Sequence, residues 1–216
     1  MPVPGRAAGG RIVMTSLNIE RRARLCDAAI EIVARAGLRG LTHRAVDAEA
    51  GVPPGTASRY FRTREALVRG VVERVRQVQF AKLRDLQLHL PDRTRLPEAV
   101  TRLAGEVLTV DRSQQLVLHE LFIESTRQPC LGRLLTETVT ALEELLIEVC
   151  HAAGITLSSR DALLLVTLCH GIVFTVLTTR PDAYDDLDGL VRTGVERIMA
   201  PYLHPAASAA DAGGRR

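Results

Sequence analysis

Tryptophan is absent from this chain of 216 residues, and aromatic residues make up only 3% of it. A cage of stacked aromatics around a flat ring is therefore not expected, and a bound molecule would be held mainly by aliphatic side chains. Lysine is nearly absent too: Lys82 stands alone against twenty-seven Arg. That skew reflects GC-rich coding more than chemistry, although arginine's planar fork does suit phosphate and guanine. The four cysteines, Cys26, Cys130, Cys150 and Cys169, include no C-x-x-C pair, which removes the zinc and thiol–disulfide signatures. Each lies in an apolar helical context, so buried free thiols of a reducing cytosol are expected. No G-x-S-x-G elbow, H-E-x-x-H pair or glycine-rich phosphate loop occurs, and His119-Glu120 has no second histidine four residues on. Hydrolase chemistry is thereby excluded, and no catalytic residue, cofactor or metal site is expected. No window alternates apolar and polar residues for long, so no sheet is expected. The opening residues, MPVPGRAAGGRIVMTS, contain no apolar run of signal-peptide type.

What is present is helical. Hydrophobic residues reach 46%, mostly Leu, Val, Ala and Ile, enough for the core of one domain or two small ones. In residues 20–36, Leu25, Ala28, Ala29, Ile32, Val33 and Ala36 recur at i, i+3, i+4, i+7, i+8 and i+11, an amphipathic helix closed by Gly37. Thr42 caps a second helix reaching Ala50, with Val46 and Ala50 inward, and Gly51 supplies a turn where positive φ is cheap. A short third helix is expected over 54–61, behind Pro53 and Pro54, and a fourth from the cap Thr63 to about Leu88, with Leu67, Val71, Val75 and Val78 buried. Further helices are expected at 97–110, 113–127, 131–153, 159–179 and 184–203, cut by Pro129, Gly132, Gly154, Pro181 and Pro205 and capped by Ser158 or Ser159. The fold class is all-α: a three-helix head with a helix-turn-helix, joined by a long helix to a C-terminal helical domain. Residues 1–18 read as a disordered arm, 19–66 as the head, 67–204 as the C-terminal domain and 205–216 as a disordered tail.

Charge follows the same division. Residues 1–64 hold eleven Arg against five acids, a net of +6, whereas residues 65–216 carry a net of −3. The positive end coincides with the helix-turn-helix, as binding to a polyanion requires. A helix in the DNA major groove needs small residues at its leading face and hydrogen-bonding groups beyond them. Pro54, Gly55, Thr56, Ala57 and Ser58 are small or compact, Thr56 and Ser58 offer hydroxyls, Arg59 can grip guanine O6 and N7 together, and Tyr60 can reach a phosphate. The helix starts at Thr42 and Thr63 attract phosphates, with Arg44 and Arg64 beside them. Phe61 is expected to anchor the head's core.

The run T42-x-R44-x-V46-x-x-x-A50-G51-V52-x-x-G55-T56-x-x-x-Y60-F61-x-T63-R64-E65-x-L67 resembles the DNA-binding head of TetR-family transcriptional regulators, and the preceding A29-x-x-x-V33-A34-x-x-G37 spacing is similar too. Four positions depart from the family pattern: Asp47 stands where Ala is usual, Pro53 where a Ser cap is usual, Pro54 where a basic residue often follows, and Ser58 where an aromatic is common. Phosphate contacts at Pro53, Pro54 and Ser58 are thereby lost, while Arg44, Thr56, Arg59, Tyr60 and Arg64 remain. The resemblance implies a homodimeric repressor, less often an activator. The last two helices, about 159–179 and 184–203, would pair between subunits as a four-helix bundle, and a small ligand in the C-terminal domain would release a palindromic operator. Such a protein is cytoplasmic, or nucleoid-associated when bound to double-stranded DNA. The alternative is a helical protein-interaction scaffold that keeps the head without ligand response.

For the ligand, polar and aromatic residues stranded in apolar helices are the candidates: His119, Phe122, Cys169, His170 and Phe174. The plainer reading of each histidine is a satisfied or exposed side chain. Glu120, Glu124 and Arg127, at i, i+4 and i+7, read most simply as a solvated face. A modest, largely apolar effector is expected. Residues 162–179 carry no formal charge, at the lower length limit for a membrane span; His170 and three threonines in the second half argue instead for a buried helix, and no membrane partner is expected.

Overall fold

A computed structural model of the chain describes residues 8–89, 93–109, 111–179 and 186–203. Every regular element among them is helical: α1 (Ala8–Gly40), α2 (His43–Glu49), α3 (Thr56–Tyr60), α4 (Arg64–His89), a 3-10 turn at Arg93–Arg95, α5 (Leu96–Thr109), α6 (Arg112–Ser125), α7 (Pro129–Ala152), α8 (Ser159–Thr178) and α9 (Leu187–Leu203). The chain divides into two compact units, Met1–Val75 and Arg76–Arg216; α4 contributes its first half to one and its second half to the other.

In the first unit, α1, α2, α3 and the start of α4 enclose a core of Leu25, Ala29, Val33, Leu41, Val46, Ala57, Phe61, Leu67 and Val71, with Phe61 the largest side chain buried there. Phe61 has room because Gly70 lies against its ring: a Cβ at Gly70 would fall 2.5 Å from Phe61 Cε1 and 3.3 Å from Cys26 Sγ. Arg22 stacks over that ring at 5.1 Å from its centroid and pairs with Glu73 at 2.8 Å. Arg74 grips Asp27 with two bonds, of 2.6 and 3.0 Å, tying α4 to α1.

The local capping chemistry is as expected. Thr42 Oγ accepts from Ala45 N at 3.1 Å, Thr63 Oγ from Ala66 N at 3.1 Å, and Ser158 Oγ from Asp161 N at 3.1 Å. α1 breaks at Gly37 and the α2–α3 turn is made at Gly51, with φ of 65° and 60°.

Several expectations change. The arm expected to be disordered is helical from Ala8: no proline lies between Pro4 and Pro53, so none interrupts α1 toward its start, even though residues 17–20 are exposed. Residues 1–7 and the tail 205–216 lie outside the described residues. Ala36, expected inward, is exposed, because the helix ends one residue later at Gly37 and the chain turns there. α3 starts at Thr56 rather than Pro54, since Gly55 is left-handed with φ 85° and breaks helical geometry behind it. Cys130 is exposed on the first turn of α7, whereas Cys26 and Cys150 are buried and Cys169 is half-buried, all as free thiols. Burial pushes Cys26, Cys150 and Cys169 up to about 11, so those three are uncharged and unreactive at neutral pH.

The second unit packs α5, α7, α8, α9 and the later turns of α4 around Leu86, Leu96, Leu145, Val149, Leu165, Val195 and Met199. α7 ends in a left-handed Gly154, with Ile155 N donating back to Cys150 O at 2.9 Å and Ile155 itself buried. The Tyr202 hydroxyl donates to Asp161, which fastens the end of α9 to the start of α8. Among the described residues α8 alone is long and apolar enough to cross a membrane. Here one side of it, Ala162, Leu165, Val166, Val173, Val176 and Leu177, is buried in the unit, while Leu163, Leu164 and Phe174 stay exposed. Val78, expected to be buried, is half-buried and faces a cavity described below.

Candidate nucleic-acid interface and ligand cavity

The exposed chemistry of α3 depends on how a five-residue helix is held. A helix that short does not stabilise itself, because nucleation fixes several dihedrals for one hydrogen bond. Pro53 and Pro54 bring no N–H to the turn before it. Thr56 N donates to Pro53 O at 3.2 Å, and the Thr56 hydroxyl donates to the same carbonyl at 2.6 Å. The Ser58 hydroxyl donates to Gly55 O at 2.9 Å. Both hydroxyl protons are thus used within the turn, so Thr56 and Ser58 present acceptor lone pairs outward instead of the donors expected of them. Asp47, reaching over from α2, takes Gly55 N on Oδ2 and Ala57 N on Oδ1, each at 2.7 Å, and is itself buried.

The basic residues fall into two groups. Arg64 donates to the carbonyls of Leu38 and Leu41, closing the corner after α1, and Arg24 donates to Ala50 O at 2.7 Å, closing the end of α2. These side chains brace the head. Arg44, Arg59 and Arg62 are exposed. The Tyr60 hydroxyl donates to Asn18 Oδ1 at 3.0 Å, joining α3 to the early part of α1. His43 Nε2 lies 2.6 Å from Phe61 O, the geometry of a ring N–H donating to the end of α3. At the start of α4, Glu65 binds its own backbone N–H and the Thr63 hydroxyl, which hold its carboxyl below the usual carboxylate range. That carboxylate already serves the helix start that was expected to attract a phosphate.

The sequence-level candidates Thr42, Arg44, Pro54, Gly55, Thr56, Ser58, Arg59, Tyr60 and Arg64 are all in this first unit. Of them, Arg44, Pro54, Gly55, Ser58 and Arg59 are exposed with no role in the core. The residue missed was Asp47. Its signal was present: an acid directly after the inward Val46, in a chain where proline stands at position 53 in place of a Ser cap.

In the second unit, a cavity of about 130 Å³ lies between the later part of α4, α5, the start of α6, α7 and α8. Its walls are mostly aliphatic, from Val78, Leu83, Val100, Leu103, Leu142, Leu146, Leu165, Val166 and Val173. Polar groups enter from Gln79, Lys82, Asp111, Gln114, Gln115 and His170. Lys82 pairs with Asp111 and lies 3.8 Å from Glu106. Of the five residues expected at a ligand site, Cys169 and His170 line the cavity. His119, Phe122 and Phe174 form ring contacts beside it: His119 meets Phe174 edge-on at 4.9 Å, and Phe122 meets His170 at 6.1 Å. His119 is buried with neither ring nitrogen hydrogen-bonded among the described residues. Burial first, and the neighbouring His170 second, depress its pKa to about 4; burial lowers His170 as well. Both rings are therefore neutral near pH 7. Lys82 was missed as a cavity residue, although its being the single lysine was visible. Glu124 bonds Arg127 and Gln128 at 3.4 and 2.6 Å on an exposed face, as expected of a solvated stripe.

Comparison with known proteins places this arrangement. Residues 25–71 match the model of bacterial regulatory proteins of the tetR family, and residues 91–201 match the tetracyclin repressor-like C-terminal domain. A TetR-family member from Streptomyces coelicolor A3 is 31% identical, covers 83% of this chain and 98% of its own, and superposes with a TM-score of 0.66. The multidrug binding protein EbrR complexed with ethidium is also 31% identical, over 82% of this chain and 98% of its own, with a TM-score of 0.62. GusR from Salmonella enterica is 18% identical over 83% of this chain and 95% of its own and shares the fold at a TM-score of 0.66. A comparison with curated proteins finds no match. With both units matched in order, and a relative of this identity over most of the chain, the protein belongs to the TetR family of transcriptional regulators.

Proposed function

We propose that this protein is a sequence-specific regulator that binds a palindromic operator in double-stranded DNA as a homodimer, most simply as a repressor, and leaves it when a small molecule fills the cavity of the second unit. The observation that carries the reading is the outward face of α3: small residues, acceptor hydroxyls at Thr56 and Ser58, and an exposed Arg59, on a helix anchored from behind. An acid-free face of this kind suits the major groove, where a guanidinium recognises guanine. Residues 19–66 do the reading, and residues 67–204 bind the effector and the second subunit. Arg44 supplies a phosphate contact beside Thr42. The compartment is the cytoplasm, with the nucleoid as the place of action.

Dimerisation through α8 and α9 is supported by Leu163, Leu164, Phe174 and Leu190, large apolar side chains between 42% and 50% exposed in the single chain. Ligand response is supported by the mostly aliphatic cavity and by the EbrR relatives, which were captured with ethidium, proflavin, malachite green and imidazole. The effector here is small and largely apolar, with a polar group that meets the Lys82–Asp111 pair. α4 lends Val78, Gln79, Lys82 and Leu83 to the cavity wall and runs back to Arg64, immediately after the reading helix. It is the segment through which a ligand alters the spacing of the two heads.

The test is selection of duplexes from a random pool by the full-length protein, followed by binding of the Arg59→Ala variant to the selected sequence. Loss of about 1–3 kcal/mol, with relaxed preference at one base pair of each half-site, is expected of a base reader. Recovery of no motif by the wild-type protein would overturn the reading.

A further inference from the structure

We propose that Asp47 is the positioning residue of the reading helix: its carboxylate, delivered from α2, caps α3 and sets the rotation at which Arg59, Thr56 and Ser58 meet the bases. The proposal rests on the reading of α3 as the DNA-contacting element. α3 has no cap of its own, because the residue at its N-cap position is Gly55, which has no side chain and is left-handed with φ 85°. The two residues before it are prolines, which donate nothing. Three successive N–H groups nevertheless find partners there: Gly55 and Ala57 on the two oxygens of Asp47, at 2.7 Å each, and Thr56 on Pro53 O at 3.2 Å.

Two bonds from one rigid carboxylate fix more than a distance. They set the turn of α3 about its own axis, and one residue of slippage in a helix rotates every side chain by roughly 100°. Ala57, whose N–H donates one of these bonds, is fully buried, so the cap and the core specify the same rotation. The carboxylate also puts a negative charge at the positive end of α3.

The experiment uses the full chain as wild type and as Asp47→Asn and Asp47→Glu, with a duplex selected by the wild-type protein and the same duplex with its motif scrambled. Asp47→Asn is nearly isosteric, but its NH2 faces one of the two N–H donors, so one bond is lost. Asp47→Glu keeps the charge and displaces it by a methylene. Both are expected to bind the selected duplex about tenfold or more weakly. Asp47→Asn is expected to hold the scrambled duplex as tightly as wild type or more so, because an acid near the DNA has been removed. Loss of fold alone cannot produce that divergence. Amide exchange supplies a second readout: Gly55 and Ala57 should exchange faster in either variant while Ala45, capped by Thr42, stays unchanged. Wild-type discrimination in either folded variant overturns the proposal, as does an equal loss on both duplexes or unchanged exchange at Gly55 and Ala57. A wild-type protein that selects no motif would sink the DNA reading instead, and the exchange measurement would still decide whether Asp47 is the cap.

Discussion

Acid should weaken this protein through one buried imidazole, and removing that imidazole should flatten the response. His119 is 8% exposed, packs edge-on against Phe174 at 4.9 Å and has a pKa depressed from 6.5 to about 4. A histidine with a depressed pKa binds its proton more readily in the unfolded chain than in the folded one. Its contribution is therefore complete above pH 6.5, falls as the pH drops through the unfolded value, and reaches its floor below about 4. Each pKa unit corresponds to about 1.4 kcal/mol, which bounds the whole effect near 3 kcal/mol, with about 2 kcal/mol of it lost between pH 7 and pH 5. His170, lowered by its own burial, pulls in the same direction.

His119→Phe removes the proton and keeps an edge contact with Phe174. It also removes two ring nitrogens that have no hydrogen-bond partner among the described residues, and such groups cost about 1–3 kcal/mol when buried. The variant should equal or exceed wild type at pH 7 and lose about 2 kcal/mol less on going to pH 5. Urea unfolding followed by helical circular dichroism, at fixed protein concentration and half-unit pH steps, reads this directly. Parallel pH profiles for the two proteins would refute the assignment of the acid limb to His119.

Three other expectations follow from the same geometry. Gly70→Ala places a Cβ 2.5 Å from the Phe61 ring and should lower stability by about 1–3 kcal/mol in thermal unfolding. Lys82→Met leaves the mostly buried Asp111 without its partner and should destabilise by about 3 kcal/mol, whereas Lys82→Met with Asp111→Leu should recover most of that loss, both measured by denaturant midpoint. Arg64→Ala should cost about 1–3 kcal/mol of stability, because two carbonyls lose a charged donor, while Arg44→Ala should leave melting unchanged and reduce the salt dependence of DNA binding by about one ion per head.

The features legible in the sequence are those whose physics is local. Thr42, Thr63 and Ser158 cap helices because a hydroxyl needs only the N–H three residues on. Gly37 and Gly51 take positive φ where the chain must turn. The inward stripe of α1 follows from helical period, failing only at Ala36, where the helix ends. The unread features depend on partners far along the chain. Nothing near Arg64 in sequence announces that Leu38 and Leu41 will present their carbonyls to it. Cys169 and His170 were recognisable as polar interruptions of an apolar helix, but that His119 would miss the cavity and Lys82 reach it is decided by how α4, α6 and α8 pack.

The head's positive charge is therefore a poorer measure of DNA affinity than its arginine count suggests. Of the eleven Arg in residues 1–64, at least four are committed within the fold: Arg22 to Glu73, Arg24 to Ala50 O, Arg35 to Glu49 and Arg64 to two carbonyls. The exposed pairs among these add little stability, yet each acid they meet cancels a charge that a phosphate would have felt. Arg24 and Arg64 keep their charge but are fixed in place, so they contribute field at the surface and not reach. Exposed arginines outside those bonds, Arg44, Arg59 and Arg62 among them, can move to a phosphate or a base edge. The starts of α3 and α4 are already served by Asp47 and Glu65 from within the protein. Specificity then rests on a few side chains whose aim is set by the frame behind them.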